Sequence, residues 1–241
     1  MAEHVCAEVP HRQFVFTIPK RLRLYFRYDR RLLGDLCQAA WRSVRTVYQA
    51  VSGRPDGVSG MVGAIQTFGD LIYFHPHIHA LVSEGVFLPD DTFLPLPKLA
   101  SEPFLKLWEQ EVFGLLLAAG KITEEVVQNI GSWKHSGFSV DQSVCLETGD
   151  REAIQRLIQY FLRCPFSQAR MIDVTETGKV LYKSSHPPSF FVPRTTAWQA
   201  TNWADFPRPL ARICWPVPSA TSRFSIHWIS GRSDPAYSRD G

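Results

Sequence analysis

Cysteines and long apolar runs are scarce in this chain. The 241 residues include five cysteines, which are scattered along the sequence and form no Cys-x-x-Cys pair. Their scatter argues against a disulfide framework and against a self-contained zinc knuckle. No apolar run approaches the roughly 20 residues that cross a bilayer, and the start of the chain lacks the layout of a secretory signal. A cytoplasmic location without a membrane partner is therefore expected.

An excess of one charge is also absent, because the net charge is only +3. A balance this close to neutral says little by itself about partners. The apolar fraction of 45% and the charged fraction of 20% are typical of a soluble globular protein. The length allows one sizeable core, or one domain with an appendage.

The positive charge is concentrated near the amino-terminal end. The basic strip consists of Lys20, Arg21, Arg23, Arg27, Arg30 and Arg31, with Tyr25, Phe26 and Tyr28 interleaved and Asp29 as the single acid. Such a strip fits a phosphate backbone whose bases stack on aromatic rings, and it predicts DNA binding. The alternative is the solvated start of a basic helix.

Hydrophobic periodicity predicts an alternation of strands and helices. Strands are expected at 13–18, 60–68, 77–82 and 179–182. Helices are expected at 31–51, 102–119 and 151–163, and a short further helix is expected to begin at Thr123. The segment 137–146 reads as extended, with Phe138, Val140 and Val144 directed inward. This order predicts an α+β sandwich in which helices cover one sheet face and the other face is open.

The last part of the chain differs from the rest in composition. Residues 186–241 contain eight of the 17 prolines and four of the seven tryptophans, with no sustained hydrophobic period. The sequence therefore predicts one domain over 1–185 and an irregular, disordered or frame-shifted tail over 186–241. A natural irregular extension is the alternative.

Two histidines on one strand are the strongest sign of chemistry. His77 and His79 point to the same face of an apolar strand, about 6.6 Å apart, while Ile78 and Ala80 point to the other face. Two neutral imidazoles suit a divalent ion. His75 has the same parity, although Pro76 bends such a strand. The alternative is a set of ordinary half-buried histidines.

Tyr160 is the candidate nucleophile. In the predicted helix 151–163 the apolar stripe consists of Ile154, Leu157, Ile158 and Phe161. Tyr160 lies on the flank of this stripe, roughly 100° from its centre, so it can reach the sheet while its hydroxyl stays near solvent. A divalent ion that polarises a phosphate lowers the demand on such a hydroxyl. A boundary packing role is the alternative.

Five ordered segments carry a resemblance to a known family. They are HRQFVFTIPK at 11–20, GAIQTFG at 63–69, FHPHIHA at 74–80, HSGF at 135–138 and QYFLRCPFS at 159–167. In this order they resemble successive blocks of the rolling-circle transposases of the insertion sequence 91 type. These transposases belong to the HUH endonuclease superfamily, named for its His-hydrophobe-His pair. The match runs from about residue 3 to about residue 185.

The resemblance implies a fold, a cofactor and a reaction. It implies a ferredoxin-like or RRM-like antiparallel sheet, Mg²⁺ or Mn²⁺ at His77 and His79, and no small-molecule substrate. Tyr160 would attack single-stranded DNA at element ends and form a 5′-phosphotyrosine with a free 3′-hydroxyl. The third metal ligand would be one of His75, Gln66 and His135. The basic strip, His135 and Arg163 would bind DNA.

Two departures from the family pattern limit what the resemblance implies. The founding members carry a second tyrosine one helical turn before the first, where this chain has Arg156. A single-tyrosine variant is therefore expected. The cysteine-rich zinc module and the Tyr-Tyr-Gly-Trp block of relatives are not found in this sequence, so a truncated copy is expected. The alternatives are an inactive remnant that binds DNA without cutting it, and an unrelated metal-binding protein. The oligomeric state stays open.

Overall fold

The computed structural model describes residues 6–69 and 74–162, together with the backbone of five later strands. The helices of this part are α1 (Arg23–Tyr28), α2 (Leu32–Ser52), α3 (Ser101–Ala118), α4 (Glu124–Gly131) and α5 (Arg151–Phe161). The strands up to residue 162 are β1 (His11–Thr17), β2 (Met61–Phe68), β3 (Phe74–Ser83), β4 (Gly85–Phe87), β5 (Phe93–Pro95), β6 (Ser139–Asp141) and β7 (Cys145–Leu146). The later strands are β8 (Met171–Val174), β9 (Lys179–Lys183), β10 (Thr195–Gln199), β11 (Leu210–Cys214) and β12 (Ile226–Ile229).

The central sheet places β3 between two long partners. Its strand order is β12-β11-β2-β3-β1-β6, with β7 also paired to β1, and all these pairs are antiparallel. The register of β1 on β3 runs from His11 opposite Ser83 to Thr17 opposite His77. On the other side of β3, Gln66 of β2 is also opposite His77. The histidine strand is thus held along both edges by backbone hydrogen bonds.

One face of this sheet packs against α2 and α3. Ile78 of β3 is fully buried in this core. Phe14 and Phe16 of β1 meet Phe104 and Trp108 of α3, with ring centroids 5.1 Å apart in both pairs. The Trp108 indole also donates a hydrogen bond of 2.8 Å to the carbonyl of Thr17. Aromatic packing and the hydrogen bond of the buried indole therefore fix β1 and β3 to the helical layer.

The second face is partly covered by α5, and the prediction that helices cover one face only is wrong. Ile154, Ile158 and Phe161 form the buried stripe of α5. They pack in one buried cluster with Val62, Ala64, Leu81 and Leu146 of the sheet. These residues lie beside the histidines on the same face, so an amphipathic helix can bury them without covering the whole surface.

Several elements were not predicted from the sequence. The basic strip forms a short 3₁₀ turn at Lys20–Leu22 and the helix α1. The β4-β5 hairpin lies between the strand expected at 77–82 and the helix expected at 102–119, where the sequence predicts no element. Val144 is 43% exposed, in contrast to the inward position predicted for it, and its carbonyl accepts a hydrogen bond from the Gln13 N–H.

Residues beyond 185 also contribute backbone strands. The sequence predicts no element in 186–241, but β10, β11 and β12 lie there, and β11 pairs with β2 in the central sheet. Within the described residues, none of the helices combines the length and the apolar character that crossing a membrane requires.

Candidate functional site

Two histidine rings lie side by side on the α5 face of β3. The ring centroids of His77 and His79 are 4.9 Å apart and their planes are inclined by 70°. Ile78, between them in sequence, points into the opposite core. The strand period therefore predicts the shared face of the two rings correctly. His75 is next in the row, with its ring centroid 5.1 Å from that of His77.

Burial keeps these imidazoles neutral. Burial and, to a smaller extent, the neighbouring His77 together lower the pKa of His79 to about 3. Burial also lowers the pKa of His77, where the carbonyl of His75 acts in the opposite direction and the charge of Arg23 adds to the lowering. For His75, burial, then Arg23, then His77 lower the pKa to about 4. The neutral ring is the form that binds metal ions.

Hydrogen bonds orient the rings. The Nδ1 of His77 is 2.7 Å from the carbonyl oxygen of His75. Only an N–H can donate to a carbonyl, so His77 carries its proton on Nδ1 and offers the lone pair of Nε2. The Nδ1 of His79 is 3.4 Å from the side-chain nitrogen of Gln13. An amide nitrogen donates, so in this arrangement Nδ1 accepts and the neutral ring carries its proton on Nε2. Rotation of the Gln13 amide by 180° would place its oxygen there, move the proton to Nδ1 and free the lone pair of Nε2.

The pair fits a divalent ion through these Nε2 atoms. The Nε2 of His79 is buried and has no hydrogen-bond partner among the described residues. A buried polar atom without a partner costs free energy unless a ligand satisfies it. No cluster of three His, Cys, Asp or Glu side chains suited to a metal ion occurs in the described part of the chain. His77 and His79 can therefore offer at most two ligands to such an ion, and water or phosphate oxygens can fill the remaining positions.

Tyr160 lies against this pair. Its ring is 5.3 Å from that of His79, centroid to centroid, with the planes at 85°. The next residue, Phe161, stacks on the same imidazole at 5.4 Å and 26°. Tyr160 is 47% exposed, which leaves room for a substrate. The start of α5 is fixed by the Asp150 carboxylate, which accepts a hydrogen bond of 2.9 Å from the Ala153 N–H.

Gln66 connects the sheet to the end of α5. Its side-chain nitrogen donates hydrogen bonds of 3.2 Å to the backbone carbonyls of Tyr160 and Phe161. Gln66 is one of the predicted candidates for a third metal ligand. A glutamine amide binds metal ions through its oxygen, and the helix uses only its nitrogen.

The basic strip is divided between two surfaces. Arg23 is the member of the strip whose charge acts on the histidines, because it lowers the pKa of both His75 and His77. Arg21 donates a 2.7 Å hydrogen bond to the side chain of Asn129 on α4. Lys20, Arg27 and Arg30 are exposed. The structure thus places Arg23 near the site and spreads the other cations along α1.

A groove of about 610 Å³ lies beside α1. Tyr25 and Tyr28 line it together with Arg30, Arg31, Lys121 and Asp29. The Tyr28 side chain is 81% exposed. Asp29 pairs with both Arg31 and Lys121 at 3.2 Å. The groove therefore presents two aromatic rings, two paired cations and Arg30.

His135 and Arg163 are the two other residues predicted to bind DNA, and the structure describes the first of them. His135 is exposed in the loop between α4 and β6. In the same loop, Gly137 has φ +82°, and an added Cβ would meet the backbone of Pro19 at 3.3 Å. The loop therefore passes the end of β1 that is paired with His77. Arg163 lies outside the described residues.

Four residues around the pair were not predicted from the sequence. Gln13 contacts His79 and Phe161 stacks on it, as described above. Thr17, opposite His77, forms a 2.7 Å hydroxyl contact with Ser139 of β6. Gln13, Thr17 and Ser139 come near the histidines through the register between neighbouring strands. Periodicity within one strand does not reveal this register.

The fold and the site define an α+β protein that carries two neutral imidazoles and a tyrosine on one face of an antiparallel sheet. A family model described as "Putative transposase" matches residues 60–202, more than half of the chain, and this range includes His77, His79 and Tyr160. The chain therefore belongs to this transposase family, which is the insertion sequence 91-like family. Comparisons with curated proteins and with solved structures find no match.

Proposed function

We propose that this transposase nicks and rejoins single-stranded DNA at element ends, with Tyr160 as its nucleophile and a metal ion at His77 and His79. The contact between the Tyr160 and His79 rings carries the proposal. It places a half-exposed phenol against the neutral His79 imidazole, whose other neighbour in the row is the His77 ring.

The strand order supports an HUH-type core. The chain runs β1, α2, β2, β3, α3, β6, and these strands lie in the order β6-β1-β3-β2. A β-α-β-β-α-β succession of this kind is the split βαβ arrangement of ferredoxin-like folds. The helix α1, the β4-β5 hairpin and α4 are additions to it. The histidines then lie on a central strand, as the HUH resemblance implies.

The metal ion would be Mg²⁺ or Mn²⁺, bound by the Nε2 atoms of His77 and His79. When bound, such an ion withdraws charge from the oxygens of the scissile phosphate. The protein contributes two neutral, oriented imidazoles that need not lose a proton at neutral pH. It also contributes the buried surface around His79, which strengthens local electrostatic interactions.

Tyr160 performs the covalent step. Its oxygen attacks the phosphorus, the new oxygen–phosphorus bond forms, and the bond to the 3′-oxygen breaks. The phenol loses its proton to solvent and the departing 3′-oxygen gains one, so the products are a 5′-phosphotyrosine and a 3′-hydroxyl. Attack of a 3′-hydroxyl on the phosphotyrosine reverses the step and rejoins DNA without an external energy source.

In our proposal, a single tyrosine per chain performs both the nicking and the rejoining of DNA. Arg156 occupies the position one helical turn before Tyr160, where two-tyrosine relatives have their second nucleophile. Its guanidinium is exposed and is 3.4 Å from the Glu152 carboxylate. A cation at this position can contact the DNA phosphate but cannot form a covalent intermediate.

The DNA path in this proposal follows positive charge away from the histidines. Arg23 would contact the phosphate next to the scissile one, because its charge already acts on His75 and His77. The other cations of the basic strip, and His135 and Arg163, would hold the flanking nucleotides.

The test is a cleavage assay on single-stranded oligonucleotides carrying element ends, with Mn²⁺ or with EDTA. We expect a covalent protein–DNA adduct with Mn²⁺ that is absent in EDTA, in Tyr160→Phe and in His77→Ala/His79→Ala. Salt-sensitive DNA binding without any adduct would identify a remnant that binds DNA and does not cut it. Absent or salt-insensitive binding would contradict both functions.

A further inference from the structure

We infer that Gln66 is a positioning residue that holds Tyr160 beside the histidine pair by binding the last turn of α5. The inference rests on the proposed function, since it assigns a residue to the same reaction. The observation behind it is the pair of hydrogen bonds from one side-chain nitrogen to the carbonyls of Tyr160 and Phe161.

The contact joins the two parts of the site directly. Gln66 is opposite His77 in the register of β2 on β3, and its side chain is only 6% exposed. Tyr160 is in the last turn of α5, which ends at Phe161. The strand that neighbours the metal ligands thus also fixes the helix end that carries the nucleophile.

A neutral amide suits this position because of the helix end. The last carbonyls of a helix lack intrahelical partners and carry a partial negative charge. The Gln66 N–H group satisfies two of them in a buried environment. A carboxylate of the same size would lack the donor and would repel the same carbonyls.

A role as metal ligand and a role as positioning residue therefore predict different effects of Gln66→Glu. As a metal ligand through its oxygen, Gln66→Glu would provide a better ligand and bind Mn²⁺ more tightly. As a positioning residue, Gln66→Glu leaves Mn²⁺ affinity unchanged and slows attack by Tyr160. A displacement of about 1 Å at a reacting group can reduce a rate by about 100-fold.

The experiment compares wild type, Gln66→Glu and the apolar isostere Gln66→Met in single-turnover adduct formation with Mn²⁺. We expect a reduction of the rate by about 10- to 100-fold in both variants. Mn²⁺ affinity from calorimetry and oligonucleotide affinity in EDTA should match wild type. Amide hydrogen exchange, measured without metal or DNA, should become faster at residues 159–162.

Gln142→Met is the matched control. Gln142 is equally buried, and its side-chain nitrogen donates to the Leu99 carbonyl instead of α5. Its substitution removes a similar hydrogen bond, so it should not change the adduct rate of the folded protein or the exchange of α5.

The outcomes separate this inference from the proposed function. Tighter Mn²⁺ binding by Gln66→Glu with a retained rate would make Gln66 a metal ligand and overturn the inference. Wild-type rates and wild-type exchange in both variants would also overturn it. A wild-type protein that forms no adduct refutes the proposed function, and the exchange of α5 then decides alone whether Gln66 holds the helix end.

Discussion

His79 and Tyr160 meet edge to face, with ring centroids 5.3 Å apart and ring planes at 85°. Phe161 stacks on the same imidazole at 5.4 Å. One candidate metal ligand is therefore held by two consecutive side chains at the end of α5. Any movement of this helix end moves the candidate nucleophile and changes the packing of the ligand together.

This contact predicts that the stability and the chemistry of Tyr160 can be separated. Tyr160→Phe keeps the ring against His79, so the free energy of unfolding should change by less than about 0.5 kcal/mol. The adduct should be lost completely because the attacking oxygen is absent. Tyr160→Ala should lose both the adduct and the ring contact, at a cost of about 1 kcal/mol. Urea unfolding and denaturing gels measure the two effects, and an adduct in Tyr160→Phe would mean that another residue attacks.

The histidine pair predicts a specific loss of metal binding. His77→Ala/His79→Ala removes both available Nε2 atoms, so calorimetry should detect no stoichiometric Mn²⁺ binding. His75→Ala and His135→Ala, measured in parallel, test the remaining histidine candidates for a third ligand. We expect a ligand to weaken affinity by at least 10-fold and a non-ligand to leave it unchanged. Retention of Mn²⁺ binding in the double variant would place the metal elsewhere.

The sequence predicted the central elements of the fold because their patterns are local. The buried stripe of α5, the position of Tyr160 on its flank and the shared face of His77 and His79 all follow from residue spacing. The α2 helix starts and ends within one residue of its expected positions, and Gly53, the residue after its last one, has φ +64°. Glycine adopts this left-handed conformation without strain, so the end of the helix could also be predicted from the sequence.

The contacts between elements could not be read in this way. The bonds from Gln66 to α5 depend on which sheet face the helix covers, and Gln13 reaches His79 only through the pairing of β1 with β3. The helix α1 was hidden because its charged and aromatic residues lack a clean apolar stripe. Only Phe26 of this helix is buried.

The groove beside α1 predicts a stacking contact with DNA. Tyr28 is 81% exposed and borders cations, so a base can lie on its ring. Tyr28→Ala should weaken binding of single-stranded DNA by about 1–3 kcal/mol, whereas Tyr28→Phe keeps the ring and should retain the affinity. Fluorescence anisotropy in EDTA measures binding without cleavage. Equal affinities of all three proteins would exclude Tyr28 from the DNA path.

Two adjacent arginines provide a matched pair for the salt dependence of binding. Arg30 forms no ion pair with the described residues, whereas the Arg31 guanidinium is bonded to Asp29 at 3.2 and 3.4 Å. Arg30→Ala should reduce the slope of log affinity against log salt by about 0.7, the value for one phosphate contact on a single strand. Arg31→Ala should change it less, because Asp29 competes for its charge. The opposite ranking would show that DNA displaces Asp29.

The buried imidazole of His79 predicts a loss of stability in acid. Burial lowers its folded pKa to about 3, while an unfolded histidine titrates near about 6.5. Below the unfolded value the unfolded chain binds the additional proton, so stability is complete above about pH 6.5 and falls as the pH approaches 3. Between pH 7 and pH 5 the His79 contribution to the free energy of unfolding should decrease by about 2 kcal/mol.

His79→Phe tests this effect because it keeps a ring against Phe161 and removes the titrating group. Urea unfolding in EDTA at pH 7 and pH 5 gives the loss of stability in each protein. We expect the loss to be smaller in His79→Phe by about 2 kcal/mol. It should not disappear, since burial also lowers the pKa of His11, His75 and His77. An equal loss in both proteins would mean that His79 is already accessible to protons in the folded state.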